Sequence, residues 1–414
     1  MNGTMREEKS KKNPLLDLQT FGQSVWMDFI NRGMISSGDL QRLIEEDGIS
    51  GVTSNPSIFE KAISESRDYD TSIRALAQKG KTSDEIYQLL SVEDIQHVAD
   101  LLRLTYEQTY GRDGFVSLEV SPKLAHDTAG TISEARQLWL NVNRPNTMIK
   151  VPATPEGLPA TQELIGEGIN VNNTLLFSLD RYREVAEAYI SGLEILEAKR
   201  NPLRQVASVA SFFLSRIDVL IDPVLEKEMK SDSPLADRAA RLHGQIAIAS
   251  AKVAYQMYKE IFSSDRFAKL AKRGAYSQHL LWASTSTKNP AYLDTKYVEA
   301  LIGPDTINTM PIETLNAYRN HGHPERRLDQ NVPEAHRLLD ELSAVDIDLG
   351  EITQKLEDEG VSKFITAFDQ LMASLKEKAA RTSWAMQNDE SEIASSRDVN
   401  RDKRRTLAMT SSNK

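Results

Sequence analysis

The stretch FVSLEVSPKLAHDTAGTISEARQLWLNVNRPNTMIKV, residues 115–151, decides the fold. It opens on a short apolar run, FVSLEV (115–120), passes through a helical pattern at 134–140 and closes on a second run, TMIKV (147–151). Two short apolar runs joined through one helix form a strand–helix–strand unit, and its strands lie parallel because the crossover returns the chain to the same end. The pattern recurs on both sides. VWMDFI (25–30), a helix-like stretch at 36–46 and GVTSN (51–55) come before it, and INVNNTLLF (169–177), VASVAS (206–211), HLLWAS (279–284) and TINTM (306–310) come after. Helical patterns, among them 160–167, 181–199 and 235–261, separate most of these runs. Eight strands alternating with helices predict an α/β protein, a (β/α)8 TIM barrel, with an open doubly wound sheet as the alternative. The intervals 56–114 and 217–276 are longer than one crossover needs and predict additional helices.

Beyond Met310 the chain turns mainly helical, with Pro333 near the start of one segment and a strongly amphipathic stretch at 361–376. This predicts a C-terminal helical extension that completes or covers the barrel. The barrel and its closing helices are expected to form one domain over residues 1–386. Residues 387–414 are polar and lack an apolar period, which predicts a disordered tail.

Composition removes whole classes of chemistry. The 414 residues contain no cysteine, so a disulfide framework, a thiolate metal site and a thiol nucleophile are excluded. A net charge of −10 argues against a nucleic-acid or anionic-membrane partner, while leaving local basic pockets for small anions. No stretch supplies the roughly 18 apolar residues of a membrane span, and the N-terminus lacks an apolar signal region, so a cytoplasmic enzyme is expected. There is no P-loop, no dinucleotide fingerprint and no zinc-binding H-E-x-x-H helix. Of seven histidines only His321 and His323 lie close in sequence, in a Pro/Gly/Arg-rich loop where solvated side chains fit better than metal ligands. Self-association into a homo-oligomer stays open.

In a parallel barrel, function sits where the strands end. Three apolar strands each carry one ionisable residue, namely Asp28, Glu119 and Lys150. A strand lysine can face solvent from a sheet edge. The flanking Met148, Ile149, Val151 and Pro152 are poor composition for such an edge, and the two readings balance. In a confined pocket, a neutral lysine amine suits Schiff-base formation with a ketone, and two carboxylates could divide the proton transfers. Equally, Asp28 could cap a turn and Glu119 could pair with a basic neighbour. Polar side chains gather at the other strand ends: Thr53, Ser54 and Asn55; Asn170, Asn172, Asn173 and Thr174; Ser208 and Ser211; Ser284, Thr285 and Ser286. Each alone suits a turn, whereas their recurrence around one rim suggests a polyhydroxylated substrate. Arg216 and Lys288, just past strand ends, could receive a phosphate.

The motifs GVTSNPSIF (51–59), VSLEVSPKLAHDT (116–128), MIKVPATPEG (148–157), INVNNTLLFS (169–178) and VASFFLSRID (209–218), in this order, resemble the transaldolase family. The resemblance runs from about residue 13 to 376, and the longer bacterial and plant-type form is the nearest group. It implies a transferase that moves a dihydroxyacetone unit from sedoheptulose 7-phosphate to glyceraldehyde 3-phosphate, giving erythrose 4-phosphate and fructose 6-phosphate in the non-oxidative pentose phosphate pathway. No metal or organic cofactor is implied. Lys150 matches the Schiff-base lysine, Asp28 the acid/base of the first strand, Glu119 the carboxylate that activates water and Thr174 the hydroxyl that orients that water. Asn55, Asn172 and Ser211 match the groups holding the dihydroxyacetone part, and Arg216 and Ser284 match phosphate ligands. One position departs: where shorter family members have an arginine two residues beyond that serine, this chain has Ser286, and Lys288 is the nearest cation. A related Schiff-base aldolase and a catalytically silent binding barrel are the rival readings.

Overall fold

The computed structural model describes residues 13–411, with side-chain surroundings for 13–380. All eight strand candidates form strands: β1 (Gln23–Met27), β2 (Ile49–Val52), β3 (Phe115–Glu119), β4 (Thr147–Pro152), β5 (Val171–Leu176), β6 (Ser208–Phe213), β7 (His279–Ala283) and β8 (Thr306–Met310). Each pairs in parallel with the next, and β8 pairs back onto β1, which closes the barrel and settles the choice against an open sheet. β3, β4, β5 and β6 are buried along their whole length, as strands must be when side chains fill one face and helices cover the other.

Two strand ends differ from the sequence pattern in a way that matters. β1 stops at Met27, so Asp28 is the first residue beyond it, tied by its N–H to the carbonyl of Met310 at 2.8 Å. β2 stops at Val52, after which Thr53 donates its N–H to the Met27 carbonyl at 2.9 Å and Asn55 caps the helix Pro56–Glu65. The polar residues after the apolar run therefore leave the ladder and reach the rim.

Helices fill both long intervals. Pro56–Glu65, Asp70–Gln78, Ser83–Leu101 and Arg103–Gln108 occupy the first, and Ser215–Met229, Ala236–Leu242, Ile246–Phe262 and Asp265–Ala271 the second. The continuous pattern at 235–261 is thus two helices, broken at Gly244, whose φ of 69° a helix interior does not accept. Below the site the barrel is plugged by Trp26, fully buried, whose indole N–H donates to Asp113 at 2.8 Å. Gly51 makes room for that ring: a Cβ there would lie 2.3 Å from it.

The last helix, Leu349–Ser411, packs on Pro56–Glu65 through the amphipathic stretch, where Val361, Phe364, Phe368, Leu371 and Leu375 are buried at spacings of three and four. It continues through most of the segment from 387 for which the sequence predicted a disordered tail, so the backbone there is helical up to Ser411. Glu, Arg, Ala, Met and Gln favour helix intrinsically even where no apolar stripe exists. Residues 412–414 of that tail, and residues 1–12 of the expected domain, lie outside the described residues. Among the described residues no helix is long and apolar enough to cross a membrane.

Because residues 388–414 are polar and lack an apolar period, deletion of 388–414 should leave the melting temperature and turnover nearly unchanged. A melt by circular dichroism beside an activity assay checks this, and a large loss would mean that the segment docks on the barrel.

Candidate active site

The site is built from neighbouring strand ends. Glu119, the last residue of β3, is the register partner of Lys150 in β4. Both are almost fully buried, at 5% and 3% exposure, with Lys150 Nζ 3.5 Å from Glu119 Oε2 and donating to the Ser54 carbonyl at 3.1 Å. The edge-strand reading of Lys150 is therefore excluded. Burial pushes the Glu119 carboxyl up to about 7, against the opposing effect of the Lys150 charge and with a further push from Asp28. A buried acid–amine pair has no net charge in either proton arrangement. When the proton sits on the acid, the amine is free to attack a carbonyl.

Asp28 reaches the same space from β1. Its Oδ1 accepts from the Thr53 hydroxyl at 2.7 Å, and that hydroxyl lies 2.8 Å from the Thr309 hydroxyl. With its own proton given to Asp28, Thr53 accepts from Thr309, so three strand ends fix the carboxylate. The protein around Asp28 raises its pKa, opposed by the Lys150 charge, the Thr53 hydrogen bond and Arg216.

A polar ladder stands beside the lysine. Asn172, the β5 register partner of Lys150, donates to Ser117 Oγ at 3.0 Å and accepts from Ser211 Oγ at 2.7 Å. Thr174 lies two residues further along β5, opposite Pro152. Its hydroxyl and Glu119 Oε1, on the two strands that flank β4, are buried without a hydrogen-bond partner in the protein, as are atoms elsewhere such as Trp282 Nε1. Each such group costs about 1–3 kcal/mol. The pair beside Lys150 is suited to hold a small polar molecule at the amine. After Thr174 the chain takes an irregular step, with Leu175 at a φ of 58° and the β5–β6 register shifted between Asn173 and Leu176. A bulky residue in the left-handed region marks stored backbone strain, here next to a site hydroxyl.

These groups line or underlie a cleft of about 310 Å³ at the C-terminal mouth. Asp28, Asn55, Lys150, Ser211, Arg216, Ser284 and Lys288 all line it. Glu119 and Asn172 stand behind, each bonded to a residue that lines it. Asn55 spends its oxygen on capping Ile58 N at 3.0 Å, which leaves its amide N–H groups for the cleft. Arg216 Nη1 is buried and unpartnered, and its guanidinium carbon lies 5.3 Å from the Phe213 ring centroid. Desolvation lowers the Arg216 pKa while Asp28 and Glu359 act in the other direction. Ser284, at a φ of 54°, shares a hydroxyl contact of 2.8 Å with Ser215, and Lys288 Nζ donates to Ser286 Oγ at 2.6 Å.

Four of the rim candidates serve the fold instead. Asn170 bonds the carbonyls of Pro145 and Thr147, Asn173 accepts from Gln278 and donates to Thr161, Ser208 donates to the Val171 carbonyl, and Thr285 donates to that of Thr309. Lys61, Thr309 and Phe364 line the cleft although the sequence pattern did not single them out. Thr309 could have been found by alternation along β8. Phe364 carries no local signal, because the last helix brings it from far along the chain. Among the described residues no group of three or more His, Asp or Glu converges as for a metal, and His321 bonds Asp294 at 2.8 Å.

A family model described as transaldolase/fructose-6-phosphate aldolase matches residues 25–375. A transaldolase of Trichodesmium erythraeum is 46% identical over 373 residues, spanning 89% of this chain and 98% of the relative. A protein named transaldolase 2 from a Nostoc species is 47% identical over 371 residues, 88% of this chain and 97% of its own length. A transaldolase of Saccharopolyspora erythraea is 46% identical over 364 residues, 87% and 96% of the two chains.

The raised Glu119 pKa fixes a pH dependence. Glu119 can receive the proton of the amine only while it is itself ionised, and with a pKa raised to about 7 that capacity is lost as the pH falls through 7. Capture of a ketone by Lys150, followed by stopped-flow trapping, should slow on the acid side of that point. Glu119→Gln should be slow throughout and flatter between about pH 6 and 8. A limb of the same depth and position in the variant would assign it to another group.

Proposed function

Since the chain belongs to the transaldolase/fructose-6-phosphate aldolase family, we propose that its cleft carries out Schiff-base transfer of a dihydroxyacetone unit between sugar phosphates, from sedoheptulose 7-phosphate to glyceraldehyde 3-phosphate. The observation that carries this reading is the buried Lys150 amine, 3.5 Å from Glu119 Oε2 at the floor of a cleft that Asp28 also enters.

In this mechanism neutral Lys150 attacks the keto carbon of the donor. Glu119, acting through a water held by Thr174, moves the protons that let the carbinolamine lose water to give the iminium. Asp28 takes the proton of the hydroxyl beyond the scissile bond. That carbon–carbon bond then breaks, its electron pair passes into the iminium, the aldose phosphate leaves, and an enamine remains on Lys150. Asn55, Asn172 and Ser211 fix the hydroxyls of the retained three-carbon fragment, and Arg216, Ser284 and Lys288 receive the phosphate of donor and acceptor. Addition of the enamine to the acceptor aldehyde, with Asp28 returning the proton, and hydrolysis of the new iminium complete the transfer. The iminium is the electron sink throughout, so the scheme calls on no metal or organic cofactor. A cytoplasmic location is part of this proposal.

The family description also covers an aldolase, which would release dihydroxyacetone; the relatives named transaldolase favour transfer. Sedoheptulose 7-phosphate with glyceraldehyde 3-phosphate should give erythrose 4-phosphate and fructose 6-phosphate. The donor alone should give little free dihydroxyacetone, and steady release at a comparable rate would establish the aldolase instead. Asp28→Asn should lose roughly 10²- to 10⁴-fold in turnover yet still form the covalent adduct. If adduct formation fell as far as turnover, the roles given to Asp28 and Glu119 would be wrong.

A further inference from the structure

Away from the lysine, two buried carboxylates take no part in this chemistry. Asp218 and Asp222 sit on the helix Ser215–Met229, whose second residue is Arg216. Facing them is the loop that leaves β7 at Ser284, carries Ser286 and Lys288 along the cleft, and ends at the short helix Lys296–Glu299. Tyr292, in the far half of this loop, donates its hydroxyl to Asp222 Oδ2 at 2.6 Å, while Asp222 Oδ1 accepts from Gly244 N at 2.8 Å. Lys296 Nζ lies 3.4 Å from the Tyr292 ring centroid and donates to Asp218 Oδ2 at 3.2 Å, an oxygen that also accepts from the Tyr297 hydroxyl at 2.7 Å. His243 Nδ1, at 3.4 Å, is the second neighbour of the Tyr292 hydroxyl.

The loop is therefore tied to one helix at both ends, by Ser284 on Ser215 near the strand and by Tyr292 and Lys296 on Asp222 and Asp218 at the far side. Ser286 and Lys288 lie between those ties, which fix the two ends of the loop relative to the helix that carries Arg216. Apolar side chains would pack such a contact at lower desolvation cost, whereas hydrogen-bonded carboxylates fix distance and direction. We propose that Tyr292 and Asp222 are positioning residues that set the spacing between Arg216 and the loop after β7, and thereby make the enzyme selective for phosphorylated over unphosphorylated substrates. This rests on the assignment of the phosphate to Arg216.

Tyr292→Phe is the direct test, because it keeps the ring and its contact with Lys296 and removes only the hydroxyl. The KM for fructose 6-phosphate should rise roughly three- to tenfold, the size of one lost hydrogen bond, with kcat and the KM for unphosphorylated fructose nearly unchanged. Asp222→Asn should act in the same direction, and combining Tyr292→Phe with Lys288→Ala should give less than the product of the two effects. Arg216→Ala provides the reference. A selective rise in Arg216→Ala with none in Tyr292→Phe, or an equal rise for both donors in Tyr292→Phe, overturns the brace alone. No selective rise in either variant overturns the phosphate assignment and the brace with it.

Discussion

The structure depends on keeping one lysine side chain out of water. Lys150 sits inside a closed barrel, where an isolated charge would be costly, and it is tolerated because Glu119 stands at the register-matched position of the next strand and the Ser54 carbonyl accepts from it. Closure is what makes this possible. In an open sheet β4 would need separate cover, whereas here every strand has two neighbours and the end of β4 is enclosed by the mouths of the others. The same exclusion of water raises Glu119 to about 7, so the feature that threatens stability also produces a proton carrier suited to neutral pH.

The remaining polar groups follow from that constraint. Asp28, Thr53 and Thr309 hold one another across β1, β2 and β8, and Ser117, Asn172 and Ser211 do so across β3, β5 and β6. Each set satisfies most of its own hydrogen bonds and leaves a few groups turned toward the cleft. Beneath them the barrel reverts to ordinary packing, with Trp26 seated against Gly51. The site is thus a polar layer a few residues deep, resting on an apolar plug and covered by the last helix through Phe364.

The barrel was legible because its strands are short apolar runs bounded by polar rims, and each of the eight runs contains or overlaps a strand. That Lys150, Glu119 and Asp28 meet at one barrel mouth was foreshadowed by a lone ionisable residue in each of three apolar runs, and the motif order supplied their expected roles. What stayed hidden was set by tertiary contact. Nothing local distinguishes Asn172, which turns to Ser211, from Asn173, which turns to Thr161, except the inward or outward phase of the strand. Phe364 and Tyr292 come from segments whose own sequence carries no sign of the cleft, and the helical backbone beyond residue 387 follows from propensity without an apolar period.

The central claim is that Lys150 is the residue that becomes covalently attached to substrate. Incubation with fructose 6-phosphate, reduction with borohydride and mass mapping of the digest test it most directly. The account predicts a reduced three-carbon adduct on Lys150 and on no other lysine, and none in Lys150→Arg. An adduct on a different lysine, or turnover without any trappable adduct, would contradict it.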